Sequence, residues 1–221
     1  PIAETLQKQE RIFAEVRQGT RENTMILAEH ESAYTYVPGK MSEEHLFRGG
    51  TPDILRAPLI PLMNRGGSIT YHGPGQLVCY FIFNLKIAGF GALELNRLID
   101  ASIRRLLARY RIFGVPQPEH LSSAASGVWV HGADSALRKI ASRGIRVSSF
   151  NKTTSITRFG CAINLSTDLS WFEPIFPCGL DIEMTSVEKE TGLRLSLRNA
   201  AYAFTEIFVG ILEAAQKRKA F

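Results

Sequence analysis

Apolar positions recur along the chain at two spacings, one typical of helices and one of strands. Leu6, Phe13 and Val16 lie among charged residues, which predicts an amphipathic helix over residues 3–18 that ends near Gly19. Two further helical stripes predict a helix in the middle of the chain and another at its C-terminal end. The first contains Leu93, Leu98, Ile99, Ile103, Leu106, Leu107 and Tyr110, and the second contains Phe204, Ile207, Phe208, Ile211, Leu212 and Ala215.

Short runs rich in aromatic and aliphatic residues predict strands. They cover residues 24–29, 33–37, 127–130, 139–147 and 155–165. Residues 76–85 (QLVCYFIFNL) are apolar on both faces, which predicts a central strand buried on each side. Residues 38–58 are polar and mixed, and we expect a loop with a helical turn there. Strands grouped in the middle, without regular βαβ alternation, predict an α+β fold rather than a doubly wound one.

Composition indicates one globular domain over residues 1–221 with a sizeable core. No apolar run approaches the ~20 residues needed to span a bilayer. The first residues show no secretory signal, although a start at Pro1 suggests that a preceding segment has been trimmed. The formal charge of +5 fits an acidic partner, either nucleic acid or a carrier protein, or simply a solvated surface with a slight basic excess.

The cysteines Cys79, Cys161 and Cys178 are odd in number and lack CxxC spacing. This pattern argues against a disulfide framework or a cysteine-rich zinc site, and it favours a reducing compartment. Neither GxGxxG nor the GxxxxGK[ST] loop occurs, so these modes of nucleotide binding are not supported. Basic residues do not cluster with aromatic ones in a recognised motif, which disfavours a nucleic-acid module.

The densest candidate for chemistry is the segment of residues 65–76, RGGSITYHGPGQ. Paired glycines let a ligand or another backbone approach closely, and Gly-Pro-Gly makes a defined turn. Arg65 and His72 flank this turn and could orient an acyl carbonyl or a phosphate-bearing arm. The alternative is a hairpin whose glycines serve only the turn, with His72 capping it.

A second candidate is Cys178, which lies between Pro177 and Gly179. Pro177 pushes Phe176 towards extended geometry, and Gly179 relaxes the chain after the cysteine, so we expect a stiff bend that presents the thiol. A thiolate is a strong nucleophile and a good leaving group, and a nearby cation or base favours it. The alternative is a buried structural cysteine.

Lys139 is the third candidate. Strand alternation predicts that Lys139 shares one face with Ala141, while Ile140 lies on the other. A lysine desolvated beside apolar neighbours is a usable base. The alternative is an exposed lysine on an edge strand. Spacing alone does not show that Lys139 meets Cys178.

Together these segments resemble the lipoyl(octanoyl) transferase family, also called lipoate-protein ligase B. The similarity covers nearly the whole chain, from about Leu6 to beyond Ser186, and its motifs occur in the family's order. They are Glu29-His30, RGG at 65–67, TYHGPGQ at 70–76, GVW at 127–129, KIA at 139–141, Gly160, Ala162, Asn164 and PCG at 177–179.

The resemblance implies a biotin/lipoate ligase-like fold, in which helices flank a mixed, largely antiparallel sheet. It implies octanoyl transfer from the phosphopantetheine arm of acyl carrier protein to a lysine of a lipoyl domain, the first step of endogenous protein lipoylation. No ATP, other cofactor or metal is expected. The expected acceptors are apo lipoyl domains of 2-oxoacid dehydrogenases or the glycine cleavage H protein, with neither nucleic acid nor membrane as a partner. The expected location is a bacterial cytoplasm, or the mitochondrial matrix in a eukaryote.

The resemblance also implies residue roles. Cys178 would form the acyl thioester, while Lys139 would take its proton and later handle the proton of the incoming amine. The acyl pocket would be lined by residues from three segments. These are Arg65, Gly66, Gly67, Ser68, Ile69, Thr70, Tyr71, His72, Ser142, Arg143, Gly144, Gly160, Cys161 and Ala162.

The chain departs from the family pattern in two places. Where the family has Thr-x-His-Gly, residues 157–160 read TRFG, so Phe159 replaces a histidine. Residues 147–156 also run a few residues longer than usual. We therefore expect lowered activity or an altered acyl preference. Two alternatives stay open, a lipoyl amidotransferase that takes its acyl group from a modified protein and a non-catalytic carrier-binding relative.

Overall fold

The structure is a computed structural model that describes residues 1–62, 68–121 and 125–219. Its helices are α1 (Ile2–Gln18), α2 (Leu85–Ala88), α3 (Ala92–Ala108), α4 (Val187–Thr191) and α5 (Leu197–Lys219). Its strands are β1 (Thr24–Ala28), β2 (Ala33–Tyr36), β3 (Leu59–Pro61), β4 (Ile69–His72), β5 (Gln76–Ile82), β6 (Val115–Pro116), β7 (Gly127–His131), β8 (Leu137–Ser149) and β9 (Ser155–Asn164). Short 3-10 turns connect several of these elements.

Two sheets organise the described part of the chain. The larger has six strands in the order β1-β5-β9-β8-β7-β6, and each neighbouring pair within it is antiparallel. The smaller has three strands in the order β3-β2-β4, with β2 parallel to β3 and antiparallel to β4. The predicted α+β class, with a mixed and largely antiparallel sheet, is confirmed.

Helices cover both faces of the large sheet. On one face, α3 and α5 bury a core with alternate residues of β5, represented by Leu77, Cys79 and Phe81. On the other face, α1 packs against Val78 and Tyr80 of the same strand. Every residue of β5 is therefore buried, as the two-sided apolar pattern predicts. This second face carries the candidate site.

The predicted N-terminal helix is confirmed with its end at the expected glycine. Ile12, Phe13 and Val16 of α1 are buried on one side. Gly19 adopts φ 75° and donates its N–H to the Val16 carbonyl at 3.2 Å, which closes the last turn.

The predicted central strand extends too far at its C-terminal end. β5 ends at Ile82, and Asn84 caps the short helix α2 by accepting a hydrogen bond from Lys86 N at 3.2 Å. The predicted helical turn within residues 38–58 is present as two 3-10 turns, Glu43–His45 and Pro52–Ile54. Among the described residues, no helix has both the length and the apolar character needed to cross a bilayer.

Candidate active site

Cys178 lies in a tight 3-10 turn, Pro177–Gly179. Phe176 before the turn is extended, while Cys178 itself has φ 62° and ψ 14° and is followed by Gly179 at φ 72°. A left-handed conformation costs an L residue roughly 1–2 kcal/mol. The turn is held by the Gly179 N–H, which donates to the Phe176 carbonyl at 2.7 Å. The predicted stiff bend at Cys178 is thus confirmed, and the thiol is buried rather than displayed on the surface.

Lys139 lies on β8, an interior strand between β9 and β7, and its side chain is fully buried. The alternative of an exposed edge lysine is therefore wrong. The predicted sharing of one face by Lys139 and Ala141 is also wrong, because a β-bulge interrupts the alternation. Trp129 pairs with Lys139 and Val128 pairs with Ala141, which leaves Ile140 as the extra residue. Ile140 and Ala141 both join the core under α3 and α5.

Gly127 makes room for the Lys139 side chain. It has φ 147°, and an added Cβ would collide with the Ala141 carbonyl oxygen and lie 3.1 Å from Lys139 Cε. A residue with a side chain here would displace either the β8 backbone or the lysine stem. The absence of a side chain at Gly127 therefore allows the Lys139 side chain to keep its position.

The chain after Cys178 runs alongside β8 and brings the thiol to the lysine. Lys139 N donates to the Glu183 carbonyl at 2.9 Å, and Thr185 N donates to the Lys139 carbonyl at 2.9 Å. Met184 forms a parallel bridge with Lys139 between these two bonds. The backbone of residues 183–185 thereby fixes the position of the turn that carries Cys178.

The two side chains meet inside the protein. Lys139 Nζ donates a hydrogen bond to Cys178 Sγ at 3.3 Å, and Nζ lies 5.8 Å from the centroid of the Trp129 ring. A buried polar group is costly unless it has hydrogen-bond partners, and the thiol sulfur is the partner that the Lys139 amine has here, with the Trp129 ring nearby. Contact between a nucleophile and a base is the geometry needed for proton exchange during covalent catalysis.

A cavity opens beside Cys178, which is one of its lining residues. Most of the expected pocket residues of the described chain also line this cavity. They are Thr70, His72, Ser142, Arg143, Gly144, Gly160, Cys161 and Ala162. A role for these residues in binding a substrate stays a prediction.

The other expected pocket residues that the structure describes do not line this cavity. Ile69 and Tyr71 alternate with Thr70 and His72 along β4, and their side chains pack in an aromatic cluster on the other side of the small sheet. Ser68 is buried close to the position of Gly179. Arg65, Gly66 and Gly67 lie outside the described residues.

Several cavity residues were missed in the sequence. Val78 and Tyr80 line the cavity because they pair with Ala162 and Gly160 across β5 and β9. Because side chains alternate between the two faces of β5, the sequence could have placed Val78 and Tyr80 together on one face. Ile2 and Leu6 of α1 and Leu62 complete this part of the lining, and only their positions in space identify them as neighbours of Cys178. Phe159, which the sequence already marked as replacing a histidine of the resembled motif, lines the cavity as well.

A buried hydrogen-bond network orients His72. Gln76 Nε2 donates to the Tyr71 carbonyl at 3.2 Å and to Asn164 Oδ1 at 2.9 Å. Because a carbonyl only accepts, the Gln76 amide can have only this orientation, and its Oε1 accepts from His72 Nδ1 at 2.7 Å. A neutral His72 therefore carries its proton on Nδ1 and its lone pair on Nε2.

Burial keeps Tyr80, which lines the cavity, and its neighbour His30 uncharged. His30 Nε2 contacts the Tyr80 hydroxyl at 2.8 Å. Burial, and to a lesser degree the N-terminal charge, lowers the pKa of His30 to about 4. Burial also raises the pKa of Tyr80, so near neutral pH both residues are neutral. An uncharged wall suits an apolar ligand.

Arg143 is among the residues that line the cavity, but its side chain is paired with a residue of α3, on the opposite face of the large sheet. Arg143 Nε and Nη2 donate to the two carboxylate oxygens of Asp100 on α3, at 2.8 and 3.1 Å. This bidentate ion pair connects β8 to α3.

Within the described ranges, no cluster of three or more histidine, cysteine or carboxylate side chains could hold a metal ion.

Residues 1–209 match the family model described as the lipoyl protein ligase A/B catalytic domain. Octanoyltransferase of Bacteroides fragilis (strain YCH46) is 37% identical over 179 residues, which cover 80% of this chain and 75% of the relative. Octanoyltransferase of Solibacter usitatus is 36% identical over 214 residues, which cover 96% of this chain and 88% of the relative.

Solved structures share the fold at low sequence identity. A structure titled "putative lipoate protein ligase from T. acidophilum" is similar with a TM-score of 0.63 and 13% identity, over 93% of this chain and 78% of that one. A structure titled lipoate-protein ligase A bound with ATP gives a TM-score of 0.62 and 14% identity, with the same coverage of both chains. These likenesses confirm the predicted lipoate ligase-like fold.

Proposed function

The chain belongs to the lipoyl protein ligase A/B catalytic domain family, and from this premise we propose that it is an octanoyltransferase that works through a thioester on Cys178. The observation that carries the proposal is the buried 3.3 Å contact between Lys139 Nζ and Cys178 Sγ beside a largely apolar cavity. Relatives named octanoyltransferase, at 36–37% identity, support octanoyl as the acyl group that is transferred. A carrier-binding protein without activity would not need this pair.

In the first half-reaction, the Cys178 sulfur attacks the carbonyl carbon of an octanoyl thioester. Lys139 takes the thiol proton as the new C–S bond forms, and its ammonium then protonates the donor thiolate that leaves when the old C–S bond breaks. One thioester is exchanged for another, so the step is nearly isoenergetic. The octanoyl group arrives already activated, and no nucleotide is needed.

In the second half-reaction, the ε-amine of an acceptor lysine attacks the Cys178 thioester. Lys139 takes a proton from the attacking nitrogen, and Cys178 Sγ leaves and is reprotonated by Lys139. An amide replaces a thioester, which makes this step downhill. The two half-reactions together return Cys178 and Lys139 to their starting states.

We propose octanoyl acyl carrier protein as the donor and apo lipoyl domains as acceptors, which makes this the first step of protein lipoylation. The formal charge of +5 supports an acidic carrier as partner. All three cysteines are free, which suits a reducing compartment such as a bacterial cytoplasm or a mitochondrial matrix.

The proposal is tested by mixing catalytic amounts of the protein with octanoyl acyl carrier protein and an excess of apo lipoyl domain. Mass spectrometry of the lipoyl domain should show one octanoyl amide on a lysine, and Cys178→Ala should abolish it. A parallel reaction offers an octanoylated H protein as the donor. Transfer from that donor alone would replace the proposal with the lipoyl amidotransferase alternative.

A further inference from the structure

The side chain of Phe159 lies on the unexpected face of the sheet. Phe159 on β9 pairs directly with Ile145 on β8, and directly paired residues of an antiparallel ladder normally share a face. Ile145 packs against the core under α3 and α5, whereas Phe159 packs with the α1 side and lines the cavity. The cause is its left-handed backbone, with φ 62°. This conformation is rare for a bulky residue.

A buried glutamine holds Phe159 in this conformation. Gln9 of α1 is buried, and its Oε1 accepts a hydrogen bond from the Phe159 N–H at 2.8 Å. The preceding residue adds a second attachment, since Arg158 Nη2 contacts Glu10 Oε2 at 3.0 Å and its guanidinium lies 3.5 Å from the centroid of the Phe13 ring. Helix α1 and the strained residue therefore stabilise each other.

The sheet register places Phe159 at one end of the cavity. From Lys139, the lining passes along β8 through Ser142, which pairs with Ala162, and Gly144, which pairs with Gly160. The next pair along the ladder is Ile145 with Phe159. Small residues thus form the floor, and an aromatic ring follows them at the end remote from the lysine. Leu6 of α1 packs in the same cluster as Phe159 and also lines the cavity.

We propose that Phe159 sets the maximum length of the acyl chain that this cavity accepts, with α1 holding it in place. The proposal rests on the octanoyltransferase function proposed above and adds the residue that selects the acyl group. Its ligand is an unbranched, medium-length acyl chain whose carboxyl end is at Cys178 and whose methyl end meets the ring. Removing the ring would open the cavity to longer chains, and enlarging it would exclude octanoyl.

Binding of free fatty acids measures the chain-length selectivity of the cavity independently of the transfer reaction. In a Cys178→Ser background, isothermal titration calorimetry measures the affinities for hexanoate, octanoate, decanoate and dodecanoate. Introducing Phe159→Gly, which also relieves the positive φ, should raise the affinity for dodecanoate relative to octanoate at least about tenfold, because each additional buried methylene discriminates by about that factor. Introducing Phe159→Trp should shift the preference towards hexanoate by a similar factor. Phe113→Ala, which removes a ring that is 79% exposed and lies outside the cavity, should change neither ratio.

Unchanged ratios in Phe159→Gly and Phe159→Trp, with thermal unfolding transitions that show both variants folded, would overturn the proposal. Absence of fatty-acid binding in the parent Cys178→Ser protein would also overturn it. If octanoate binds and the ratios shift as expected while no octanoyl transfer occurs, the length-selecting role of Phe159 stands and the proposed transferase function fails.

Discussion

Lys139 Nζ lies 3.3 Å from Cys178 Sγ, although the two residues are 39 positions apart in the chain. The contact depends on the backbone of residues 183–185, which pairs with Lys139 and fixes the turn that holds the thiol. Burying a lysine costs free energy of desolvation, so the contact with Cys178 is not explained by a gain in folding stability. The proposed acyl transfer gives a chemical reason for it.

Replacing Lys139 with methionine keeps the buried stem and removes the amine. We expect Lys139→Met to slow acylation of Cys178 by about 10²–10⁴, since a positioned base typically contributes this much. Rapid-quench measurement of single-turnover acylation checks the rate, and circular dichroism checks the fold. Lys86→Met, at an exposed position on α2, serves as the matched control and should be unaffected. Equal acylation rates in both variants would remove Lys139 from the mechanism.

Two glycine-to-alanine substitutions should have opposite effects on stability. Gly127→Ala forces a Cβ into the Ala141 carbonyl, so we expect a loss of about 2 kcal/mol or more in the free energy of unfolding and a lower acylation rate. Gly210→Ala lies within α5, where a Cβ meets nothing within 4 Å, and should gain about 0.5–1 kcal/mol. Urea denaturation measures both. A Gly127→Ala protein as stable as the parent would contradict the assigned crowding.

Gln76 should stabilise the fold through its three hydrogen bonds. Gln76→Leu keeps the volume but removes the donor to Asn164 Oδ1 and the acceptor for His72 Nδ1. Leaving such buried groups without these bonds should cost at least about 2 kcal/mol in unfolding free energy. Guanidinium unfolding measures this loss. Gln7→Leu, on the exposed side of α1, is the control, and equal stabilities of the two variants would show that the network does not hold the fold.

His30 should make stability depend on pH in the acidic range. Its pKa is about 4 in the folded protein and 6.5 when unperturbed, so between these values the unfolded chain binds more protons. The free energy of unfolding therefore falls as the pH decreases from 6.5 to 4, by an amount on the order of 3 kcal/mol from this group. Unfolding of the parent and of His30→Gln at pH 7, 5.5 and 4 compares the slopes. A parent slope no steeper than that of His30→Gln would refute the assignment.

Local signals in the sequence predicted much of the fold. The end of α1 at Gly19, the burial of β5 and the bend at Cys178 follow from glycine, proline and the apolar pattern, which act over a few residues. The side chains of Thr70 and His72 reach the cavity as the motif suggested.

Long-range contacts decided the remainder. The bulge at Ile140 arises from the pairing of β8 with β7, and it reverses the face expected for Ala141. The face of Phe159 depends on Gln9, which is 150 residues away in the chain. Neither the bulge nor the Gln9–Phe159 hydrogen bond can be recognised from a local sequence pattern, because each depends on residues that are distant in the chain.

Intact-mass analysis of the protein after mixing with octanoyl acyl carrier protein, followed by peptide mapping, tests directly whether Cys178 is the nucleophile. We expect one added octanoyl group on Cys178, which an apo lipoyl domain then removes and which Cys178→Ala does not acquire. Absence of the adduct, or an adduct on Cys161 alone, would contradict the proposal that Cys178 is the nucleophile.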